Sequence, residues 1–245
     1  MQAFQRGNYT VRPAGTPAEI EACQRLRHLA FRDPGTGLDV DAFDRTCIQM
    51  LIEDTATATL VACFRILPLP SGAKIAESYS AQFYDLTPLH RFKSSIAELG
   101  RFCGHPAHKD PDILRLFWVA MGRYVDADGI ELLFGCSSFK GTDPLAYKDT
   151  LALLRARHLA PPPLQPGIKA SSVYPYAKEL SGHRPDLKSA MAAMPPLLRS
   201  YLILGGWVSD HAVIDKDLGT LHVFTGLEIR AIPETRKRLL RASAG

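Results

Sequence analysis

Apolar residues recur every three or four positions after Pro17. Ile20, Cys23, Leu26, Ala30 and Phe31 fall on one side of a helix, and Glu21, Gln24, Arg25, His28 and Arg32 fall on the other. Thr16-Pro-Ala-Glu19 is a capping box with proline in the first turn, so the spacing predicts a helix from Pro17 to about Arg32. Arg27 does not obey the division and lies among Ile20, Cys23 and Phe31. A cation on an apolar face needs an anionic partner or substrate, or it snorkels to the edge. Tyr9–Pro13 reads as a first strand, and Asp33–Asp41, with its Gly and Pro, as a loop. Ile48–Glu53 and Thr59–Leu67 read as two strands joined by a hairpin turn that begins at Asp54.

Residues 76–83 show no regular period, and Ile96–Cys103 is the next strand. Asp110 is a good N-cap, Pro111 a first helical residue and Gly129 a stop. The helix between them is apolar nearly all round, so it belongs against a sheet. Ile130–Phe139 is a continuous apolar strand of buried character. Asp143-Pro144 caps a further helix that ends near His158 and the prolines at 161–163. Residues 171–194 read as a loop with a short helix, residues 195–204 as another short helix, and Trp207-Val208 and His222–Ile229 as late strands after a turn at Asp215–Gly219. The order predicts an α/β domain whose mixed, mostly antiparallel sheet is flanked by helices. We expect a single domain over residues 1–245, with its core at about 9–160 and a C-terminal part at about 161–230 completing the fold.

Composition narrows the classes. An apolar fraction of 46% suits a packed globular core, and no apolar run reaches the ~18–20 residues of a membrane span. The first residues lack the apolar stretch of a signal peptide, so the expected location is cytoplasmic. Five cysteines stand singly with no CxxC pair, so neither a zinc site nor a disulfide framework is expected. A net charge of +4 is mild, fits an acidic partner, and comes with no dense basic stripe for nucleic acid. The run from Arg236 to Arg241 is short, basic and amphipathic. It suits an acidic protein face or an anionic membrane surface, or stands as a solvated tail.

The stretch Ile96–Asp112 carries the most chemistry. A strand places Glu98 and Arg101 near its end and then turns into a capped helix, where backbone N–H groups and a positive helix end suit a phosphate. Lys109 and the N–H groups near Asp112 and Ile113 are candidate phosphate contacts, and Phe102, Cys103 and Gly104 offer backbone donors for an oxyanion. A carboxylate near apolar walls has a raised pKa, which suits Glu98 as a base for an amine. Glu98 and Arg101 are an odd number apart and point to opposite faces of a regular strand. A direct pair therefore needs a bulge, for which Gly100 is the expected residue.

Asp41-Ala-Phe-Asp44, Phe64-Arg-Ile-Leu67, Glu98-Leu-Gly-Arg101 with His105-Pro106, Leu133–Phe139, His158-Leu-Ala-Pro161 and the tail Pro195–Val208 with Asp217-Leu-Gly-Thr220 together resemble the GNAT acyltransferases. The closer resemblance is to the ornithine N-acyltransferases, which use 3-hydroxyacyl carrier protein. Acyl-homoserine-lactone synthases share the first half through Arg27, Phe31, Asp41, Asp44, Arg65, Glu98 and Arg101. The resemblance implies Glu98 and Arg101 as the catalytic pair. It implies an amino acid held by Arg27, Phe31, Asp41, Asp44 and Arg65; Ser137 and Ser138, on the neighbouring strand, are candidates to hydrogen-bond the amino acid or the thiol leaving group, or else satisfy local backbone. It further implies transfer of an acyl chain to an α-amino group, no metal and no cofactor beyond the thioester co-substrate. The glycine-rich pyrophosphate loop usual in this superfamily is absent, which favours an acyl carrier protein over free coenzyme A as donor. Ornithine, glutamine and glycine stay open as acceptors, and peripheral contact with the inner membrane is compatible with a lipid product. A lactone-forming signal synthase and a non-catalytic carrier-binding module are the competing readings.

Overall fold

The computed structural model describes residues 2–32 and 35–242. Asp33 and Pro34, at the head of the expected loop, lie outside the described residues, as do the side chains of Leu239, Leu240 and Arg241 in the basic run. In chain order the elements are β1 (Phe4–Arg6), β2 (Tyr9–Pro13), α1 (Pro17–Phe31), β3 (Ile48–Asp54), β4 (Leu60–Leu69), β5 (Tyr84–Asp85), β6 (Ile96–Gly104), α2 (Asp112–Asp128) and β7 (Leu132–Lys140). They continue with α3 (Lys148–Arg157), β8 (Gly167–Ile168), β9 (Val173–Tyr174), α4 (Tyr176–Glu179), α5 (Leu187–Ala193), α6 (Pro196–Ile203), β10 (Trp207–Val208), β11 (Ala212–Asp215), β12 (Thr220–Glu228) and α7 (Glu234–Ala242). The chain forms two compact units. One holds Met1–Pro68, Ala97–Ile130 and Glu234–Gly245, and the other Leu69–Ile96 and Glu131–Pro233.

In the first unit β1, β2, β3 and β4 pair antiparallel in sequence, and β6 lies beyond β4. Cys23 and Leu26 of α1 pack on Leu51, Cys63 and Cys103. The adjacent strand residues Phe64 and Phe102 meet Phe117 of α2 instead, each with ring centroids 4.9 Å apart. Successive strand residues point to opposite faces, so α1 and α2 cover the two sides of this sheet. The capping box of α1 forms as the sequence predicts: Thr16 accepts from the Glu19 N–H and the Glu19 carboxylate accepts from the Thr16 N–H.

In the second unit β7 runs antiparallel to β12 in unbroken register from Leu132↔Glu228 to Lys140↔Thr220, and β11 and then β9 follow. Phe139, Leu221 and Val223 pack on Leu151 and Leu154 of α3, Ala190 of α5 and Leu198 of α6. The other face carries an aromatic group: Phe224 stacks on Phe134 and on Trp207, each at 5.8 Å, and Tyr84 and His222 adjoin it. Gly226 opposes Trp207 in the β10–β12 pair, and only glycine fits there, because a Cβ would stand 2.4 Å from the indole.

The mixed, mostly antiparallel α/β architecture is the expected one. Five strands are not legible in the sequence: Phe4–Arg6, Tyr84–Asp85, Gly167–Ile168 and Val173–Tyr174 are too short to show a period, and Ala212–Asp215 merges with the turn that follows it. The helix after Asp110 begins one residue later than expected, at Asp112 with Pro111 at its cap. Asp110 still accepts from the Asp112 N–H at 2.8 Å.

Candidate active site

Three arginines and three aspartates of the first unit close into a ring of alternating charge. Arg27 donates to both carboxylate oxygens of Asp44, at 2.8 and 2.9 Å. Arg65 donates to Asp44 at 3.0 Å and to both oxygens of Asp41, at 2.6 and 3.0 Å. Arg101 donates to Asp41 at 3.4 Å and through Nε to Asp39 at 3.0 Å, and Asp39 accepts from Arg27 Nε at 3.2 Å, which completes the circuit. Local structure explains how the members arrive. Asp41 caps a 3-10 turn over Ala42–Arg45, with Phe43 N–H on its carboxylate, and that turn delivers Asp44. Arg65 of β4 stands two residues from Cys63, on the face that α1 covers. Gln24 and Gln49 donate to Asp44 at 3.0 and 3.2 Å and fill its remaining acceptor sites.

This resolves the misfit of Arg27 on its helix. The residue is fully buried, and besides Asp39 and Asp44 its guanidinium donates to Gln49 Oε1 and to the Asp39 backbone carbonyl. All its reach is directed at the protein. Burial alone would push the Asp44 carboxyl up, but the Arg27 and Arg65 guanidiniums outweigh it and hold the pKa at about 2. Asp39 behaves alike: burial raises it, and Arg101, Arg27 and Arg32 bring it below the ordinary carboxylate value. Exposure grades around the ring from nil at Arg27 to 11% at Arg101 and 23% at Asp41. Incoming solute therefore meets the Arg101–Asp41 side, whose 3.4 Å contact is also the loosest.

Glu98 is buried on β6. The expected irregularity in this strand is present but sits at Arg101, whose φ of +53° is in the left-handed region, and not at Gly100. A break in alternation there lets two residues an odd number apart share a face. Glu98 acts electrostatically on Cys47, two residues before Gln49 of the ring's lining, and helps lift that thiol to about 11, after burial as the main cause. Phe31 lies under the same edge, with the Arg101 guanidinium carbon 6.0 Å from its ring centroid.

The turn after β6 differs from expectation. The Asp112 N–H is given to the Asp110 carboxylate at 2.8 Å and the Ile113 N–H to the Asp110 carbonyl at 3.2 Å, so neither is turned outward to a phosphate. Asp110 also takes the Tyr9 hydroxyl at 2.6 Å, and two carboxylates at this helix start oppose an anion. Lys109 and Gly104 are exposed. Phe102 packs on Phe64 and Phe117, and Cys103 is buried with its Sγ 3.6 Å from that of Cys63. The strand stays bonded to β4 as far as His105, whose N–H donates to the Val61 carbonyl at 2.7 Å.

Ser137 and Ser138 are adjacent on β7 of the second unit and point to opposite faces, so one site cannot use both side chains. Ser137 is buried and accepts from the Thr225 hydroxyl at 2.9 Å, whereas Ser138 is exposed. Among the described residues no group of three or more His, Cys, Asp or Glu could hold a metal ion.

Asp39 and Gln49 are the members that sequence reasoning missed. A signal for Asp39 exists: three arginines with two aspartates leave one cation uncompensated, and Asp39 is the acid between outward-facing Leu38 and Val40.

Residues 26–119 match the acetyltransferase (GNAT) domain family model. The chain is 35% identical to an L-ornithine N(alpha)-acyltransferase of Rhodobacter capsulatus, over 94% of this chain and 93% of the relative. It is 32% identical to the protein of the same name in Brucella abortus, over 92% and 86%. Among solved structures it is similar to FeeM, an N-acyl amino acid synthase from uncultured soil microbes, at 11% identity, 91% coverage of both chains and a TM-score of 0.49.

Proposed function

The chain belongs to the L-ornithine N(alpha)-acyltransferase family, and from that premise we propose that it transfers a 3-hydroxyacyl chain from acyl carrier protein to the α-amino group of L-ornithine. The product is a lyso-ornithine lipid, the first intermediate of an aminolipid. The observation that carries the reading is the charge ring, whose accessible side offers a cation, Arg101, beside an anion, Asp41. An acceptor with a carboxylate at one end and an ammonium at the other matches that pair. Its carboxylate replaces Asp41 on Arg101, and its distal ammonium takes the released Asp41 carboxylate. Arg27, Asp44 and Arg65 are too buried for that contact and serve as the frame.

Glu98 takes a proton from the α-ammonium, directly or through one water. The freed nitrogen attacks the thioester carbonyl, the C–N bond forms, the C–S bond breaks, and the thiol leaves with a proton. The backbone at 102–104 supplies the N–H donor for the tetrahedral oxyanion. Direct transfer needs no covalent enzyme intermediate. A carrier-protein donor makes this a cytoplasmic reaction whose product passes to the inner membrane. No helix among the described residues is long and apolar enough to cross a membrane. Arg236, Lys237 and Arg238 on α7 suit the acidic face of a carrier protein.

The test offers the purified protein 3-hydroxyacyl carrier protein or the matching acyl-coenzyme A, with ornithine, glutamine or glycine, and reads product mass. Monoacyl ornithine formed faster from the carrier supports the proposal. Acylated glutamine or glycine alone overturns the acceptor, and a preference for the coenzyme overturns the donor. Glu98→Gln should cut turnover by about 10²–10⁴-fold while carrier binding persists. Unchanged turnover removes Glu98 as the base.

A further inference from the structure

Asp39 lies outside β6, and no motif of the sequence picked it out. Yet its carboxylate, 2% exposed, ties α1 to the strand bearing Glu98 and Arg101. One oxygen accepts from Arg27 Nε at 3.2 Å and from Arg101 Nε at 3.0 Å, and the other accepts from Arg32 Nε at 3.2 Å. The residue is itself anchored at both backbone groups. Its N–H donates to the Gln24 carbonyl at 3.1 Å, and its carbonyl accepts from Arg27 Nη2. Gly37, two residues earlier, lies so close to α1 that a Cβ there would stand 2.4 Å from the His28 ring, which holds the approach to Asp39 against the helix.

Arg101 adopts φ +53°, a strained conformation that a non-glycine residue keeps only where its surroundings enforce it. The left-handed turn swings the side chain, and a clamp on Nε, the guanidinium nitrogen nearest the backbone, fixes that swing most directly. Asp41 contacts a terminal nitrogen instead, at the longer distance of 3.4 Å. We propose that Asp39 is a positioning residue: its buried carboxylate holds Arg101 in the left-handed conformation that brings residues 98–101 to the charge ring. Asp39 touches neither substrate nor reacting atoms and acts through Arg101. The inference deepens the acyltransfer reading and rests on it for its kinetic arm alone.

The experiment compares wild type, Asp39→Asn, Asp39→Glu, Arg101→Gly and the double variant Asp39→Asn/Arg101→Gly. The reading is turnover against ornithine concentration, alongside crystal structures of the single Asp39 variants. Asp39→Asn should lower kcat by about 10–100-fold, the penalty of an ångström-scale misplacement, with KM for the acyl donor little changed. In the Arg101→Gly background the same substitution should cost less than about twofold, since two residues acting through one contact are not additive. Costs that multiply, or an Asp39→Asn enzyme of wild-type kcat, overturn the proposal. Asp39→Glu keeps the ring's charge and guards against a variant that fails to fold. It should melt near wild type and still lose kcat, and wild-type kcat there also overturns the proposal. The structural arm is independent of catalysis. Residue 101 should leave the left-handed region in Asp39→Asn, and a retained positive φ refutes the clamp. If wild type acylates no amino acid at all, the acyltransfer reading fails while this structural arm still decides the role of Asp39.

Discussion

His222 makes folding stability depend on pH in a window that few other groups share. It is 2% exposed on β12. The Tyr84 hydroxyl has one proton, and the His222 carbonyl, 2.9 Å away, can only accept, so that proton goes to the carbonyl. His222 Nδ1, 3.0 Å from the same hydroxyl, must then carry the ring hydrogen, which leaves buried Nε2 as a bare lone pair with no hydrogen-bond partner among the described residues. Burial disfavours a charge there. It lowers the pKa to about 4, against an opposing pull from Asp215 and with a further push from His211. The unfolded chain takes up a proton near pH 6.5 that the folded one refuses until about 4. Stability therefore falls with decreasing pH by about 1.4 kcal/mol per unit, reaching about 3 kcal/mol at pH 4. Urea unfolding at half-unit steps between pH 7 and 4.5 on wild type and His222→Phe isolates the group. Phenylalanine retains an aromatic ring beside Phe83 and Tyr84 and cannot titrate. The variant loses its bond to Tyr84 and starts less stable, but its pH slope should be shallower by one proton. Parallel curves for the two proteins would refute the reasoning.

Three more outcomes follow from the packing. Arg27→Met leaves Asp39 and Asp44 buried without their shared guanidinium, and urea unfolding at pH 7 should show a loss of about 3–5 kcal/mol. A loss below about 1 kcal/mol would mean the ring does not depend on Arg27. Gly226→Ala pushes a methyl into the Trp207 indole, which should cost about 1–3 kcal/mol and shift tryptophan emission, and an unaltered spectrum with unaltered melting contradicts it. Thr16→Ala removes the side-chain acceptor for the Glu19 N–H and should lower stability by about 1 kcal/mol, with equal stability by thermal melting as the contrary result.

The extent of α1 is legible to its last turn, because a capping box and a 3.6-residue period are local signals. The same period marks Arg27 as anomalous from the residues alone. It does not say whether the anion Arg27 needs is a substrate or the protein, because Asp39, Asp41 and Asp44 approach through a loop and a 3-10 turn without period. The pairing of Ser137 and Ser138 into one site failed for a related reason. Neighbours in a strand are near in sequence yet face apart, and Ser137, paired with Val223 in the register, is taken up by the diagonal neighbour Thr225, whose hydroxyl donates to it. The phosphate contacts expected at Asp112 and Ile113 failed because Asp110, read as a cap, takes up both N–H groups that were to be offered.

The six-membered circuit draws on α1, the segment after it, β4 and β6, stretches separated by up to 74 positions between Arg27 and Arg101. No subset of these stretches can neutralise its own charges in a dry interior, so an intermediate with one of them detached bears the desolvation cost of its orphaned neighbours. Local fraying of this region should thus be suppressed relative to opening of the whole unit, and its amides should exchange with solvent by one concerted route. Closure of the charge ring and completion of folding would then be a single event for this half of the molecule.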